Sequence, residues 1–453
     1  MFHTIQSTFI FFALNAAVIY SAAVSARKIF PEISTAEHVL LTANFSAAAI
    51  ILITSGLGFA GHFNLPNVTT LVLLFFLTAV LITTRRKANA QINSNLNLTT
   101  GKIGGEHKLI RLLFCLTVVG LFIHWTLIFT WTLITPPAPW LDAYVYHLPM
   151  AAEWLQKHTI DVYPTPFGDL ASGYSPANGE LLYLWAMLPF HADYAAKCLQ
   201  VIFLALCGIC VFHIGRTIGL SRFFALLAAV PIFVTPGLEW QATSADADVI
   251  FTFFFLSCTM MLISYLKDRN IRRILPAGIC LGMFIGTKYL GVIYFPIAAA
   301  AGIIVFREIF RRYGRRSFFY ALSFIGGIIL FGGVWYIRNF LLTGNFFYPM
   351  AVGIGKFIIL PGAYRVTAMR NFIWSPSRLA EFLPSFRFEF SIPLLIWLIV
   401  SVAGLLVLRK IKKRGNEIFD SGAKSGDVGV CRCGGVRMFK NINFHTSALP
   451  HFI

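Results

Sequence analysis

What this chain has least of is charge. Of its 453 residues only 12% are Asp, Glu, Lys or Arg, where a soluble domain carries roughly 25%. Acidic side chains are the scarcer kind, 19 against 37 Lys and Arg. With 57% hydrophobic residues and 45 Phe, no soluble core could hide the apolar side chains, so a soluble globular fold is excluded. A zinc-binding cysteine pattern is also lacking. Six of the eight Cys (115, 198, 207, 210, 258 and 280) lie in or beside apolar runs and read as small hydrophobes, and Cys431-x-Cys433 has no second pair at ligand spacing. A net charge of +18 would suggest nucleic acid in a soluble protein. Here the cations fall in short runs between apolar stretches, as membrane topology signals do, so nucleic acid is not an expected partner. No internal repeat is visible. No ionisable Asp, Glu, Lys or Arg sits at the middle of an apolar run, where ion-coupled transporters carry them.

What is present is a series of long apolar runs. They predict an all-α polytopic membrane protein with about eleven transmembrane helices, near 5–25, 39–60, 69–84, 111–135, 194–215, 223–236, 248–266, 274–290, 291–306, 317–336 and 390–408. The first run is too long, and too poor in cleavage signal, for a signal peptide. With Arg27-Lys28 on the cytoplasmic side, strict alternation also puts 85–111, 216–222, 267–273, 307–316 and 409–414 there. Most of the Lys and Arg are then inside, as the positive-inside rule requires. Two large outer loops result, 136–193 and 337–389. The first contains an amphipathic stretch, 151–157, expected to lie along the interface. Trp140, Trp154, Trp240, Trp335 and Trp374 fall near the outer boundary, as an aromatic belt would. The chain divides into three N-terminal spans with a basic cytoplasmic loop (1–110), a membrane core (111–408), and a basic stop signal with a tail (409–453). That tail is polar, Gly-rich and aperiodic; it reads either as disordered or as a frameshifted or truncated end.

The residues able to do chemistry gather on the outer face. Asp142 follows the fourth span at headgroup height, where partial desolvation raises a carboxylate toward the range of a general base; the alternative is a cap on the following helix. Glu180 follows a Gly- and Pro-containing turn, 173–179, and reads either as a catalytic acid or as the acidic first turn of a helix. Asp246 or Ser244 would cap the seventh span. Alternatively Asp246 and Asp248 bind an acceptor amine or hydroxyl, or a divalent cation, although two carboxylates alone make a poor metal site. Lys288 and Arg338 stand at the outer ends of the eighth and tenth spans, followed by Arg365, Arg370, Arg378 and Arg387. These cations suit either a substrate phosphate or snorkelling to ordinary lipid phosphates.

Four short motifs occur in order on that face. They are Asp142-Ala143-x-x-Tyr146-His147-Leu148-Pro149, Tyr174-Ser175-x-Ala177-Asn178-Gly179-Glu180, Gly286-Thr287-Lys288-Tyr289, and Trp335-Tyr336-Ile337-Arg338-Asn339 with Thr343-Gly344-Asn345-x-x-Tyr348-Pro349. Over roughly 110–410 the chain resembles bacterial GT-C-type membrane glycosyltransferases, relatives of protein O-mannosyltransferases and of the lipid A aminoarabinose transferase. The resemblance implies inverting transfer of a hexose or pentose from a polyprenyl-phosphate carrier to a lipid, glycan or protein acceptor. The site would lie on the periplasmic or extracellular side of the bacterial cytoplasmic membrane. It implies Asp142 as the catalytic residue, with His147, Glu180, Asp246, Asp248, Lys288 and Arg338 binding substrate; Lys288 and Arg338 would stabilise the leaving phosphate. No cofactor is implied, a divalent cation being the one option. Three spans precede the one that usually comes first, and fewer follow the second outer loop. Two other classes remain open at this stage, a transporter or flippase of lipid-linked saccharides and an inactive truncated relative.

Overall fold

The computed structural model describes residues 2–89, 108–136, 142–166, 168–354 and 357–364. Four long helices open the chain: α1 (Phe2–Ile29), α2 (Thr35–Phe59), α3 (Leu65–Asn89) and α4 (Lys108–Ile134). Short helices then build the first outer segment: α5 (Leu148–Lys157), α6 (Leu170–Tyr174), α7 (Asn178–Met187) and α8 (Tyr194–Lys197). The core continues as α9 (Leu199–Thr217), α10 (Arg222–Val234), α11 (Pro236–Ala242), α12 (Asp248–Asp268), α13 (Ile274–Ile285), α14 (Leu290–Tyr313), α15 (Ser317–Ile328) and α16 (Val334–Thr343). Two short antiparallel strands follow, β1 (Val352–Ile354) and β2 (Phe357–Leu360).

Helix is the only open-ended element whose backbone satisfies its own polar groups in lipid, which is why the apolar runs fold this way. Seven helical stretches are long and apolar enough to cross a membrane, and an eighth is added if α10 and α11 count as one span bent by 65°. Pro236 opens α11, and its preceding residue Thr235 takes extended backbone, which sets that break. The protein is thus an all-α polytopic membrane protein in its spans. Ten of the eleven expected spans coincide with helix, but α13 has 12 residues, short of a crossing by length alone. The run near 390–408 lies outside the described residues.

Three expectations change. The second outer loop was to begin at 337, yet α16 continues to Thr343 and stops at Gly344, whose φ of 75° suits a residue without Cβ. The hairpin β1–β2 adds strand to that loop. Trp154 and Trp335, expected in the aromatic belt, are instead buried and stacked, with centroids 6.2 Å apart and planes at 15°. Both rings keep a partner for the indole N–H when buried: Trp154 Nε1 donates to Asp161 O and Trp335 Nε1 to Asn178 Oδ1, each at 2.9 Å. Trp240 is partly exposed, whereas Trp140 and Trp374 lie outside the described residues.

The amphipathic stretch forms α5, burying Leu148, Met150, Ala151, Trp154 and Leu155. Helix α7 is buried along its whole length, so the first outer segment packs into the protein. In the core, α13 meets α15 across glycines. A Cβ on Gly278 would lie 2.8 Å from Phe324 Cα, and one on Gly282 would lie 2.9 Å from Ile328 Cα. This small-xxx-small seam allows backbone contact where lipid supplies no hydrophobic drive. Helix α12, 21 residues or about 30 Å long, runs from Asp248 at one end of the bundle to Asp268 at the other.

Candidate active site

Asp142 opens a five-residue π-turn, 143–147, that leads into α5. Its side chain makes no capping bond, so the capping alternative does not describe it. The carboxylate is exposed, and Tyr146 Oη donates to its Oδ2 at 3.1 Å. Burial and the charges of Asp142, Glu180 and Asp248 hold the Tyr146 hydroxyl far above its ordinary range, so it remains a donor.

The same turn directs His147 inward. His147 Nδ1 and Glu180 Oε1 are 2.5 Å apart, and each side chain is only 1% exposed. Glu180 stands in the first turn of α7, where Asn178 anchors the helix: its Nδ2 donates to Phe331 O at 2.7 Å and its Oδ1 accepts from Trp335 Nε1 at 2.9 Å. The far atoms of the pair, His147 Nε2 and Glu180 Oε2, are buried without partners, as is the hydroxyl of Tyr183 one turn along α7.

Asp246 and Asp248 flank the start of α12, whose N-cap is Ala247 and carries no side-chain cap, so neither Asp246 nor Ser244 caps it. Ser244 Oγ and Asp246 Oδ1 are buried and unbonded. With its amide nitrogen turned toward the acids, Gln241 donates to Asp248 Oδ2 at 2.9 Å and Asp246 Oδ2 at 3.1 Å. Lys288 Nζ closes on Asp248 Oδ2 at 2.7 Å. Burial raises the Asp246 carboxyl above its usual value, His147 and Lys288 oppose that, and Asp248 and Asp142 reinforce it. These mutual influences put Asp142, His147, Asp246, Asp248 and Lys288 in one electrostatic neighbourhood, and Tyr183, raised by burial and then by Glu180, Asp246 and Asp248, borders it.

Arg338 on α16 meets the first outer segment, its Nη2 donating to Ser175 O at 3.4 Å. Its guanidinium lies 4.9 Å over the Trp335 ring, and Nε and Nη2 donate to Asn339 Oδ1 at 3.1 and 2.9 Å. Its Nη1 is buried without a partner, and among the described residues Arg338 pairs with no carboxylate. Asn339 in turn donates to Tyr174 O and to Tyr289 Oη, binding α16 to the first outer segment. Arg365, Arg370, Arg378 and Arg387 lie outside the described residues.

Sequence reading did not single out Tyr146, Tyr183, Gln200, Gln241, Tyr289 or Asn339 as site residues. Gln200, wholly buried at the head of α9, donates to Asp246 O at 2.5 Å and accepts from Ile250 N at 3.0 Å, so it fixes the turn that presents the two aspartates. A lone Gln in an apolar run was its only signal. Among the described residues no group of three or more His, Cys, Asp or Glu is arranged to hold a metal.

The sequence model of one protein family, dolichyl-phosphate-mannose-protein mannosyltransferase, matches residues 120–348. No curated protein and no solved structure matches the chain. The matched stretch includes Asp142, His147, Glu180, Asp246, Asp248, Lys288 and Arg338 and extends over half of the 453 residues. The GT-C-type resemblance therefore has an independent footing, and the chain belongs to the dolichyl-phosphate-mannose-protein mannosyltransferase family.

Proposed function

We propose that this chain transfers a sugar, in a single inverting step, from a polyprenyl-phosphate carrier to an acceptor hydroxyl on the non-cytoplasmic face of the bacterial cytoplasmic membrane. Family membership supports a membrane glycosyltransferase with a lipid-phosphate donor. The observation that carries the rest is one exposed carboxylate and one cation with a buried, unbonded nitrogen, both within the family-matched stretch. Asp142 is open to a ligand, while Arg338 has a buried, unbonded guanidinium nitrogen and, among the described residues, no anionic partner.

Asp142 accepts the proton of the acceptor hydroxyl as that oxygen attacks the anomeric carbon. The bond from that carbon to the phosphate oxygen breaks, and polyprenyl phosphate leaves with the electron pair. Arg338 answers the growing phosphate charge, with Lys288, held by Asp248, as a second cation. A fixed guanidinium in a water-poor site needs no reorganisation during the step, which is the source of its catalytic value. His147, Glu180 and Asp246 each keep one buried, unbonded polar atom, which sugar or acceptor hydroxyls would satisfy.

The test is glycosyl transfer by the reconstituted full chain, using polyprenyl-phosphate mannose and a panel of other hexose and pentose donors. Asp142→Asn should lower turnover by roughly 10²–10⁴-fold, with donor binding retained. Turnover within threefold of wild type in that variant would remove Asp142 from the chemistry. Transport of intact lipid-linked saccharide without transfer would overturn the enzyme reading itself.

A further inference from the structure

At the end of the bundle opposite Asp142 lies a second polar cavity, of about 450 Å³, that the proposed chemistry does not use. Helices α2, α9, α10, α12 and α13 all begin or end there. Its walls carry four cations, Arg216, Arg222, Lys267 and Arg273, and three carboxylates, Glu32, Glu37 and Asp268.

The charges are not equally engaged. Arg273, 5% exposed, takes both Glu37 and Asp268, the latter through Nη2 at 2.6 Å, and closes an ionic floor between α2, α12 and α13. Arg216, Arg222 and Lys267 stand exposed at the rim. Among the described residues none of the three pairs with a carboxylate. Arg216 donates to a backbone acceptor, Leu220 O, at 2.6 Å. With Glu32 included, the cavity walls retain a surplus of one positive charge, the complement of a singly charged phosphate.

A buried neutral donor faces the same space. Ser264, 3% exposed, lines the cavity, and among the described residues its Oγ has no hydrogen-bond partner. Leaving a hydroxyl buried and unbonded is costly, and an oxyanion in the cavity would satisfy it. The helix ends do not decide the matter. The N-termini of α2, α10 and α13 favour an anion, the C-termini of α9 and α12 oppose it, and these largely offset, so the balance rests on the side chains.

We propose that this cavity binds a phosphate-bearing anion, held by Arg216, Arg222 and Lys267 at the rim and by Ser264 at the floor. It lies at the end where the basic residues cluster, the side that the positive-inside rule makes cytoplasmic. Basic cavities between helices on that side suit anionic headgroups of the cytoplasmic leaflet, and a soluble phosphate offers the same chemistry.

Two probes, inorganic phosphate and short-chain phosphatidylglycerol, are titrated onto the full chain in neutral detergent. Phosphatidylcholine is the zwitterionic control, and affinity is read from the rise in unfolding midpoint. At least one anionic probe should stabilise wild type saturably. Arg216→Gln with Arg222→Gln should weaken that binding by about tenfold or more, and Ser264→Ala by about tenfold. The Ser264→Ala variant is small enough to fold, and its midpoint without ligand checks that it does. Saturation by the lipid alone assigns a headgroup, and saturation by phosphate alone assigns a soluble ligand; both support the site. Three outcomes would overturn it: no saturable effect of either probe, equal binding of phosphatidylcholine, or an equal loss in Arg307→Gln with Arg315→Gln, two arginines that line a different cavity.

Discussion

The buried His147–Glu180 pair is open to a quantitative test of how the outer segment is held. The two groups meet at 2.5 Å with 1% exposure each, and each already carries one unbonded atom, Nε2 and Oε2. Glu180→Leu leaves the imidazole buried with no partner at all, and His147→Leu does the same to the carboxylate. Removing one member of a buried pair costs about 3–5 kcal/mol, because the remaining charge or dipole keeps its desolvation penalty. Removing both with apolar groups of similar size abolishes that penalty, so the double variant should lie within about 2 kcal/mol of wild type. The costs are then far from additive, with a coupling of at least about 4 kcal/mol. Equilibrium unfolding in detergent measures all four corners of the cycle. Raising the salt from about 0.1 to about 1 M should leave the coupling nearly unchanged, since the pair is shielded from mobile ions. Additive costs, with a coupling below about 0.5 kcal/mol, would refute the view that the pair holds the π-turn and α7 together.

Three further outcomes follow from other contacts. Gly282→Ala should destabilise the chain by about 1–3 kcal/mol, since the added methyl meets backbone atoms of α15 that cannot rotate away; the unfolding midpoint checks it. Burial raises the Asp246 carboxyl, so its folded form favours the proton; its contribution to stability is whole below the ordinary Asp range and is lost as pH rises through the folded value. Asp246→Asn should thus be more stable than wild type near neutral pH, with the gap closing on acidification, and unfolding measured across pH tests this sign. Asp169 lies the other way. Partial burial pushes its carboxyl up, but donors on Ser172, Ala171 and Tyr364 outweigh this and hold it low, so its contribution is present at neutral pH and is lost on acidification; Asp169→Ala should cost about 1 kcal/mol at neutral pH and less in acid.

Much of the spanning architecture was legible along the chain. Runs such as 39–60 and 248–266 became α2 and α12 because apolar length and backbone self-satisfaction both select helix in lipid. Buried α7 was harder to read. Asn178, Glu180 and Tyr183 interrupt its apolar pattern, and the first two are buried for a reason supplied by another element: Trp335 and Phe331 for Asn178, His147 for Glu180. The capping alternatives for Asp142, Asp246 and Ser244 were reasonable from local sequence, and the backbone around them excluded them. Stacking of Trp154 on Trp335 was invisible because 181 positions separate two rings that either lipid or protein could have buried.

Composition and pattern along the chain were enough to establish that it is a membrane protein, which end of the bundle is basic, and where the acids and cations able to do chemistry lie. These are sums of single-residue transfer energies and charges, and they read out in one dimension. Packing in three dimensions was needed to show that Glu180 belongs to His147, that Lys288 belongs to Asp248, and that Arg338 is left with an unbonded nitrogen among the described residues. Those outcomes depend on distances of a few ångströms between residues far apart in the chain. Helix packing sets such distances, down to the missing Cβ atoms of Gly278 and Gly282.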